Sequence, residues 1–192
     1  MHKYLIVGLG NIGAEYDGTR HNIGFDALDY YCKVKDCTWQ HERLAYHTST
    51  KLKGNTIHLI KPTTYMNLSG KALKYWMDKE KIAIERILII VDELALPLHS
   101  FRLRASGSAG GHNGLKDIEA QLHTNAYSRL RFGIGNLYPK GQQIDFVLGK
   151  WTATEMPIIQ KKIEATATII DKYITEGVQL TMNYCNQLKV NE

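Results

Sequence analysis

Apolar residues fall in short runs along this chain, and their spacing alternates between two periods. Tyr4–Val7, Tyr46–Lys51, Thr56–Ile60, Arg86–Val91, Ser100–Arg104 and Arg129–Ile134 are brief and rich in β-branched or aromatic side chains, which predicts strands. Between them the spacing turns helical. Phe25, Leu28, Asp29 and Cys32 recur at one interval, as do Leu68, Leu73, Tyr75, Trp76 and Met77. A third helix is expected to begin near Asn113, with Leu115, Ile118 and Leu122 on one face. The C-terminal pattern is the longest: Ile159, Ile163, Thr166, Ile170 and Ile174 mark one side of a helix. Thr154 is read as its N-cap, Pro157 sits in its first turn, where a missing N–H is harmless, and Gly177 fits the stop. A short last helix is expected over Gln179–Leu188.

Strands alternating with helices predict an α/β fold, a mixed and largely parallel sheet packed between helices. Ser100–Arg104 follows the preceding strand closely, so it is the run expected to pair antiparallel. A length of 192 residues, with no internal repeat or Pro/Ser-rich linker, points to one domain over 1–192. The apolar part of Met1–Gly8 is too short for a signal peptide, and no run approaches the ~20 residues that span a bilayer. Cys32, Cys37 and Cys185 are odd in number and lack metal-ligand spacing, so three reduced thiols in a cytoplasmic protein are expected, and no zinc site. The net charge of +5 serves solubility, and it also suits a polyanionic partner.

Gly8, Gly10 and Gly13 match the G-x-G-x-x-G spacing of dinucleotide-binding turns and follow a strand. That motif works only when a helix opens at the glycines, so that its first N–H groups meet a pyrophosphate. Here the chain continues through a polar stretch to Asn22, and the helical pattern starts only near Ile23. A tight turn leading into a functional loop is the favoured reading, with a dinucleotide-dependent oxidoreductase as the alternative.

In open α/β sheets, ligands bind beyond the carboxyl ends of the strands. Asn11 and His21 follow the first strand, Lys61–Asn67 the third, and Asp92–Pro97 the fourth. The glycine-rich run from Gly107 to Gly114 precedes a helix and can present N–H groups to an anion. Singly, each of these residues is explained by a cap or a turn. Together they gather a histidine, an acid and several amides at one rim, with no serine in a nucleophile-elbow motif and no cysteine among them. This combination suits water as nucleophile, a histidine as general base and amides that polarise a carbonyl. Spacing alone does not join His21 to Asp92 or name a substrate.

The motifs themselves go further. Gly8-Leu9-Gly10-Asn11-x-Gly13, Thr19-Arg20-His21-Asn22-x-Gly24, Lys61 through Gly70, Asp92-Glu93-Leu94 and Gly110 through Lys116 occur in this order. Arg129 through Gly135 and Phe146 through Lys150 extend the series. The set resembles the bacterial-type peptidyl-tRNA hydrolases over nearly the whole length. The resemblance implies a monomer without metal or organic cofactor, acting on peptidyl-tRNA released by stalled ribosomes. It implies cleavage of the ester between the peptide and the terminal ribose. His21 would then activate water, Asp92 would orient His21, and Asn11 would position the water or the carbonyl. Tyr65, Met66 and Asn67 would bind the peptide end, and Asn113 would stabilise the oxyanion or hold the tRNA end. Arg104 and Arg131 would grip tRNA phosphate near the 5′ end, whereas Arg102 and Arg129 are read as exposed arginines that keep an edge soluble. Ile12 stands where many members carry Pro, and Ala95 where Asp is usual. A non-catalytic RNA-binding role on the same fold is a further alternative.

Overall fold

The computed structural model describes residues 1–191. Its sheet is built from β1 (Lys3–Gly8), β2 (Gln40–Glu42), β3 (Ala45–Leu52), β4 (Asn55–Pro62), β5 (Ile87–Glu93), β6 (Phe101–Arg104) and β7 (Ser128–Gly133). The order across the sheet is β2-β3-β4-β1-β5-β7-β6. The four central strands run parallel, and both edges are antiparallel. The sheet is thus mixed, and the expected antiparallel pairing of the Ser100–Arg104 run is the β6–β7 ladder.

Helices α1 (Ile23–Val34), α5 (Met156–Glu176) and α6 (Val178–Cys185) cover one face, and α2 (Ser69–Glu80) and α3 (Asn113–Leu122) the other. A five-residue helix, α4 (Gln143–Val147), lies outside both layers. Central strands alternate between the two cores. Ile6, Leu88 and Ile90 pack under α1 and α5, whereas Leu5, Val7, Ile87, Ile89 and Val91 pack under α2 and α3. Burial on both faces is why these strands read as continuous apolar runs. Each such side chain contributes roughly 1.5–3 kcal/mol when fully buried.

Close approach of backbone explains the early glycines. A Cβ on Gly8 would lie 2.2 Å from the Gly24 carbonyl oxygen, so β1 and the start of α1 touch at two residues without side chains. The helix does not open at the glycines but ten residues after Gly13, at Ile23, and a short 3-10 turn, Ala14–Tyr16, follows Gly13 directly. This removes the geometry that a pyrophosphate needs.

Several details depart from expectation. Asp29 shares the spacing of the α1 core face, but it is exposed and pairs with Lys61. Thr154 does not cap α5. Two residues earlier, Thr152 Oγ1 accepts from Glu155 N at 3.2 Å, and the Glu155 carboxylate accepts from Thr152 N at 3.4 Å. This is the reciprocal Thr-x-x-Glu arrangement. The last helix ends at Cys185 rather than Leu188. The chain beyond it covers the sheet edge: Asn186 bonds both the N–H and the carbonyl of Leu103, and Val190 N donates to His99 O.

One buried cation braces the rim where the site lies. Lys162 of α5 is fully buried and donates to Leu98 O at 2.8 Å and Gly133 O at 2.7 Å. Its ammonium lies over the rings of Phe132 and Phe101, and burial pushes its pKa well down. The loop after β5 is thereby tied to the end of β7.

Candidate active site

Asp92 is the penultimate residue of β5, one position further into the sheet than the predicted end of that strand at Val91. It is 5% exposed, and its two carboxylate oxygens each face an imidazole. His21 Nδ1 lies 2.9 Å from Oδ2, and His112 Nε2 lies 2.8 Å from Oδ1. Burial pushes the Asp92 pKa up, but hydrogen bonding and charge from His112 and His21 outweigh it and hold the carboxyl well below the usual range. An ionised carboxylate only accepts hydrogen bonds, so both facing nitrogens carry the protons.

The remaining ring nitrogens then differ. Nδ1 of His112 accepts from Gly114 N at 3.1 Å and from Leu115 N at 3.4 Å, which caps α3. Nε2 of His21 keeps a free lone pair. His21 stands on a 3-10 turn, Arg20–Asn22, at the head of α1, and it lines a cavity of about 310 Å³. The two histidines and Asp92 offer ligand atoms within 4.8 Å of one another, a grouping that can also suit a divalent cation. Here the carboxylate oxygens and three of the four ring nitrogens are already engaged with one another or with α3. The cluster as built is a hydrogen-bonded relay.

Asn11 forms part of the same wall. Its Oδ1 accepts from Met66 N at 2.6 Å, which leaves the Nδ2 donor as its free end. Its own main chain is clamped at both groups by Asn22: Asn11 N donates to Asn22 Oδ1, and Asn22 Nδ2 donates to Asn11 O, each at 2.8 Å. Asn113 opens α3 and lines the cavity, with Gly110 and Gly111 beside it at φ 59° and 83°.

The segment expected to bind peptide divides. Tyr65 and Asn67 are exposed, whereas the Met66 side chain is buried in the core beneath α2 and α3. What Met66 presents to this wall is its main chain, whose N–H anchors Asn11. Tyr65 has φ 61° and ψ 162°, a region that side chains other than glycine's rarely adopt. That conformation precedes the Met66 N–H bonded to Asn11.

The four arginines of β6 and β7 do not share one environment. Arg102, Arg104 and Arg131 line a groove of about 290 Å³ that also reaches Glu93. Arg104 is exposed. Arg131 is engaged inside the protein, with Nη1 3.1 Å from Glu93 Oε2 and Nη2 2.6 Å from Ser108 O. Arg129 overturns its reading as a soluble edge residue. It is fully buried and donates to the carbonyls of Gly107, Ser108, Asn125 and Tyr127, so it shapes the loop before α3. Glu93 lines both groove and cavity and joins the two.

Sequence reasoning did not assign roles to His112, Asn22 or the α4 wall. The signal for His112 was present, since it lies within the glycine-rich run that precedes a helix. Its double use, as cap and as partner of Asp92, depends on the tertiary fold. The outer wall, with Gln143, Ile144, Val147 and Leu148, comes from a stretch with no helical stripe. It is pinned by Arg20, whose guanidinium donates to Phe146 O at 3.1 Å and to Glu155 at 2.9 Å and lies over the Phe146 ring.

Residues 5–192 match the family model described as peptidyl-tRNA hydrolase. The chain is 50% identical over 185 residues to a peptidyl-tRNA hydrolase of Phocaeicola vulgatus, covering 96% of this chain and 99% of the relative. It is equally identical over 187 residues to one from Cytophaga hutchinsonii, covering 97% and 100%. The crystal structure of peptidyl-tRNA hydrolase from Acinetobacter baumannii superposes with a TM-score of 0.91 at 34% identity, covering 97% of this chain and 95% of that one. Such agreement over almost every residue leaves one assignment: the chain belongs to the peptidyl-tRNA hydrolase family, a family of ester hydrolases.

Proposed function

We propose that water activated by His21 is the nucleophile in this chain's reaction, the hydrolysis of the ester between a peptide and the 3′-terminal ribose of tRNA. The supporting observation is the Asp92 bridge, which keeps the His21 proton on Nδ1 and leaves Nε2 bare. Nε2 takes a proton from water as the oxygen attacks the ester carbonyl. The resulting imidazolium is stabilised by Asp92. The oxyanion is met by Asn11 Nδ2 and by Asn113 at the head of α3, donors that gain strength as charge develops. Collapse breaks the bond to the ribose oxygen, which takes the proton back from His21. The products are a peptide acid and tRNA with a free hydroxyl.

In this reading Tyr65 and Asn67 flank the peptide end, with Met66 acting through its main chain. Arg104 and Arg131 face the tRNA phosphates, Arg104 as the freer of the two. The chain works as one domain and as a monomer, and no metal or organic cofactor enters the step. Its substrate arises from translation, which places it in the cytoplasm, where it recycles tRNA lost from stalled ribosomes. Among the described residues no helix is long and apolar enough to cross a membrane.

The test is to mix the protein with N-acetyl-aminoacyl-tRNA in the presence of a chelator and follow release of free tRNA. Wild type releases it. His21→Ala folds and binds tRNA, but its kcat falls by about 10²–10⁴. Near-normal turnover of that variant removes His21 from the mechanism.

A further inference from the structure

The outer wall of the catalytic cavity has no core of its own. Helix α4 supplies Gln143, Ile144 and Val147 to that wall, and Leu148 follows it directly. A helix of five residues has little stability by itself, and none of the residues of α4 is buried. Arg20 ties this segment down from several directions. Its main-chain N–H donates to Gly149 O at 3.0 Å, beside an antiparallel bridge between Thr19 and Lys150. Nη1 donates to Phe146 O at 3.1 Å in the last turn of α4, where a cation is favoured. The guanidinium carbon lies 4.2 Å from the centre of the Phe146 ring and 5.3 Å from that of Trp151. Behind it, Nη2 donates to Glu155 at 2.9 Å, and Glu155 belongs to the capping turn of the core helix α5.

The next residue in the chain is His21. One 3-10 turn therefore carries the candidate base and, one position earlier, the anchor of the wall that faces it. Arg20 is 6% exposed and does not line the catalytic cavity. Stability alone does not account for such a residue. A buried ion pair recovers little beyond its desolvation cost, and apolar side chains of similar volume often replace it without loss. What the planar, forked guanidinium adds is a fixed geometry between the groups that it joins. Here those groups are the end of α4, the start of α5 and, through the backbone, the turn that holds His21.

We propose that Arg20 is a positioning residue for the hydrolysis: acting through α4, it sets the outer wall of the catalytic cavity at a fixed distance from His21 Nε2, so that the ester is confined against the base. The assignment rests on the reading of His21 given above. Arg20 moves no proton and touches no reacting atom. Its contribution is the alignment of ester and water with Nε2, and a misplacement of about 1 Å at such a site costs on the order of 100-fold in rate.

The experiment measures kcat and KM on N-acetyl-aminoacyl-tRNA for Arg20→Lys, Arg20→Ala, Phe146→Leu and the double variant Arg20→Lys/Phe146→Leu, with thermal melting of each. Arg20→Lys keeps a charge for Glu155 but loses the fork. It melts close to wild type while its kcat falls by about 10–100-fold, with little change in KM. Arg20→Ala falls at least as far. Free guanidinium restores its kcat saturably, whereas ammonium at equal ionic strength does not. Phe146→Leu lowers kcat by itself, and the double variant is no slower than Arg20→Lys, because both changes act through one wall. Wild-type kcat in Arg20→Lys overturns the proposal. So do losses that multiply in the double variant, or a folded Arg20→Ala that guanidinium fails to restore. The cycle uses the lysine variant, so it decides even where Arg20→Ala does not fold. Full turnover of His21→Ala is a different result, since it strikes the reading of the base and leaves the coupling between Arg20 and Phe146 measurable.

Discussion

His112 Nε2 donates to Asp92 Oδ1 at 2.8 Å, on the carboxylate oxygen that His21 leaves unused. Asp92 therefore serves two imidazoles, of which one faces the cavity with a bare nitrogen and the other is turned into a helix cap. His112→Ala removes both functions. Losing the cap of α3 costs about 0.5–2 kcal/mol. Losing the strongest of the attractions that depress the Asp92 pKa lets that carboxyl rise. A depressed carboxylate contributes stability that is present above its unfolded pKa and is lost as pH falls through the folded value. The variant therefore unfolds in acid at higher pH than wild type. Its kcat falls with little change in KM, because the relay acts in the transition state. Acid titration by circular dichroism and steady-state kinetics check both parts; an unchanged acid midpoint contradicts the coupling.

Asp26 carries the opposite sign. Its pKa is raised to about 6, first by burial and then by the neighbouring Asp29 charge, with Lys61 opposing and Asp17 adding. A carboxyl raised above its unfolded value destabilises the fold when ionised, and the penalty disappears as pH falls below the unfolded pKa of about 3.9. Asp26→Asn should melt higher than wild type at pH 8, and the difference should shrink through pH 6 and vanish near pH 4. A gain in Tm that is constant across this range would show that burial and charge at Asp26 have no energetic consequence.

Tyr65 holds a backbone conformation that glycine tolerates best, immediately before the N–H that anchors Asn11. Such strain costs on the order of 1–3 kcal/mol. Elsewhere in ordered structure, Gly is less stable than Ala by roughly 0.5–1 kcal/mol. At position 65 the order should invert, with Tyr65→Gly more stable than Tyr65→Ala in urea denaturation. Because both variants lose the ring, the comparison isolates the backbone. If Ala proves the more stable, the conformation is not strained.

These contrasts show which parts of the molecule are visible in the sequence. The central strands follow from short continuous apolar runs, because they are buried on both faces, and α1, α2, α3 and α5 from period-3.6 patterns, because each buries one face. The start of α1 at Ile23 separated a functional turn from a dinucleotide motif. Strand β2 is three polar residues, and α4 has no buried side, so neither leaves a periodic trace. The candidate site was legible as residue types at strand ends. What decides each role was not, because it lies in contacts across the fold. Arg129 and Arg131 are two residues apart on one strand, yet one is wholly buried against carbonyls and the other is paired with Glu93. Met66 and its neighbours Tyr65 and Asn67 are adjacent in sequence, yet the Met66 side chain fills the core while the other two are exposed.

Asn22 provides the last test, because it separates holding a catalytic group from being one. It is 1% exposed, and both ends of its amide are used on the Asn11 main chain. Asn22→Asp keeps an acceptor for Asn11 N but sets a second oxygen against Asn11 O. The buried acid then either loses a hydrogen bond or takes up a proton to restore it. A protonated carboxyl can donate, so the restoring form is the neutral one. Desolvation and the facing carbonyl both favour that form, which raises the pKa of the new acid. Activity and stability of the variant should therefore recover as pH is lowered, down to the point where His21 itself must be protonated. Asn22→Leu, with no titrating group, should show the loss without the recovery. The expected penalty is about 1–3 kcal/mol for each unsatisfied buried partner. It should appear in kcat more than in KM, since Asn11 meets the charge that develops on the carbonyl oxygen. If Asn22→Asp and Asn22→Leu lose activity with the same pH profile, the clamp on Asn11 is not what sets the geometry of the site.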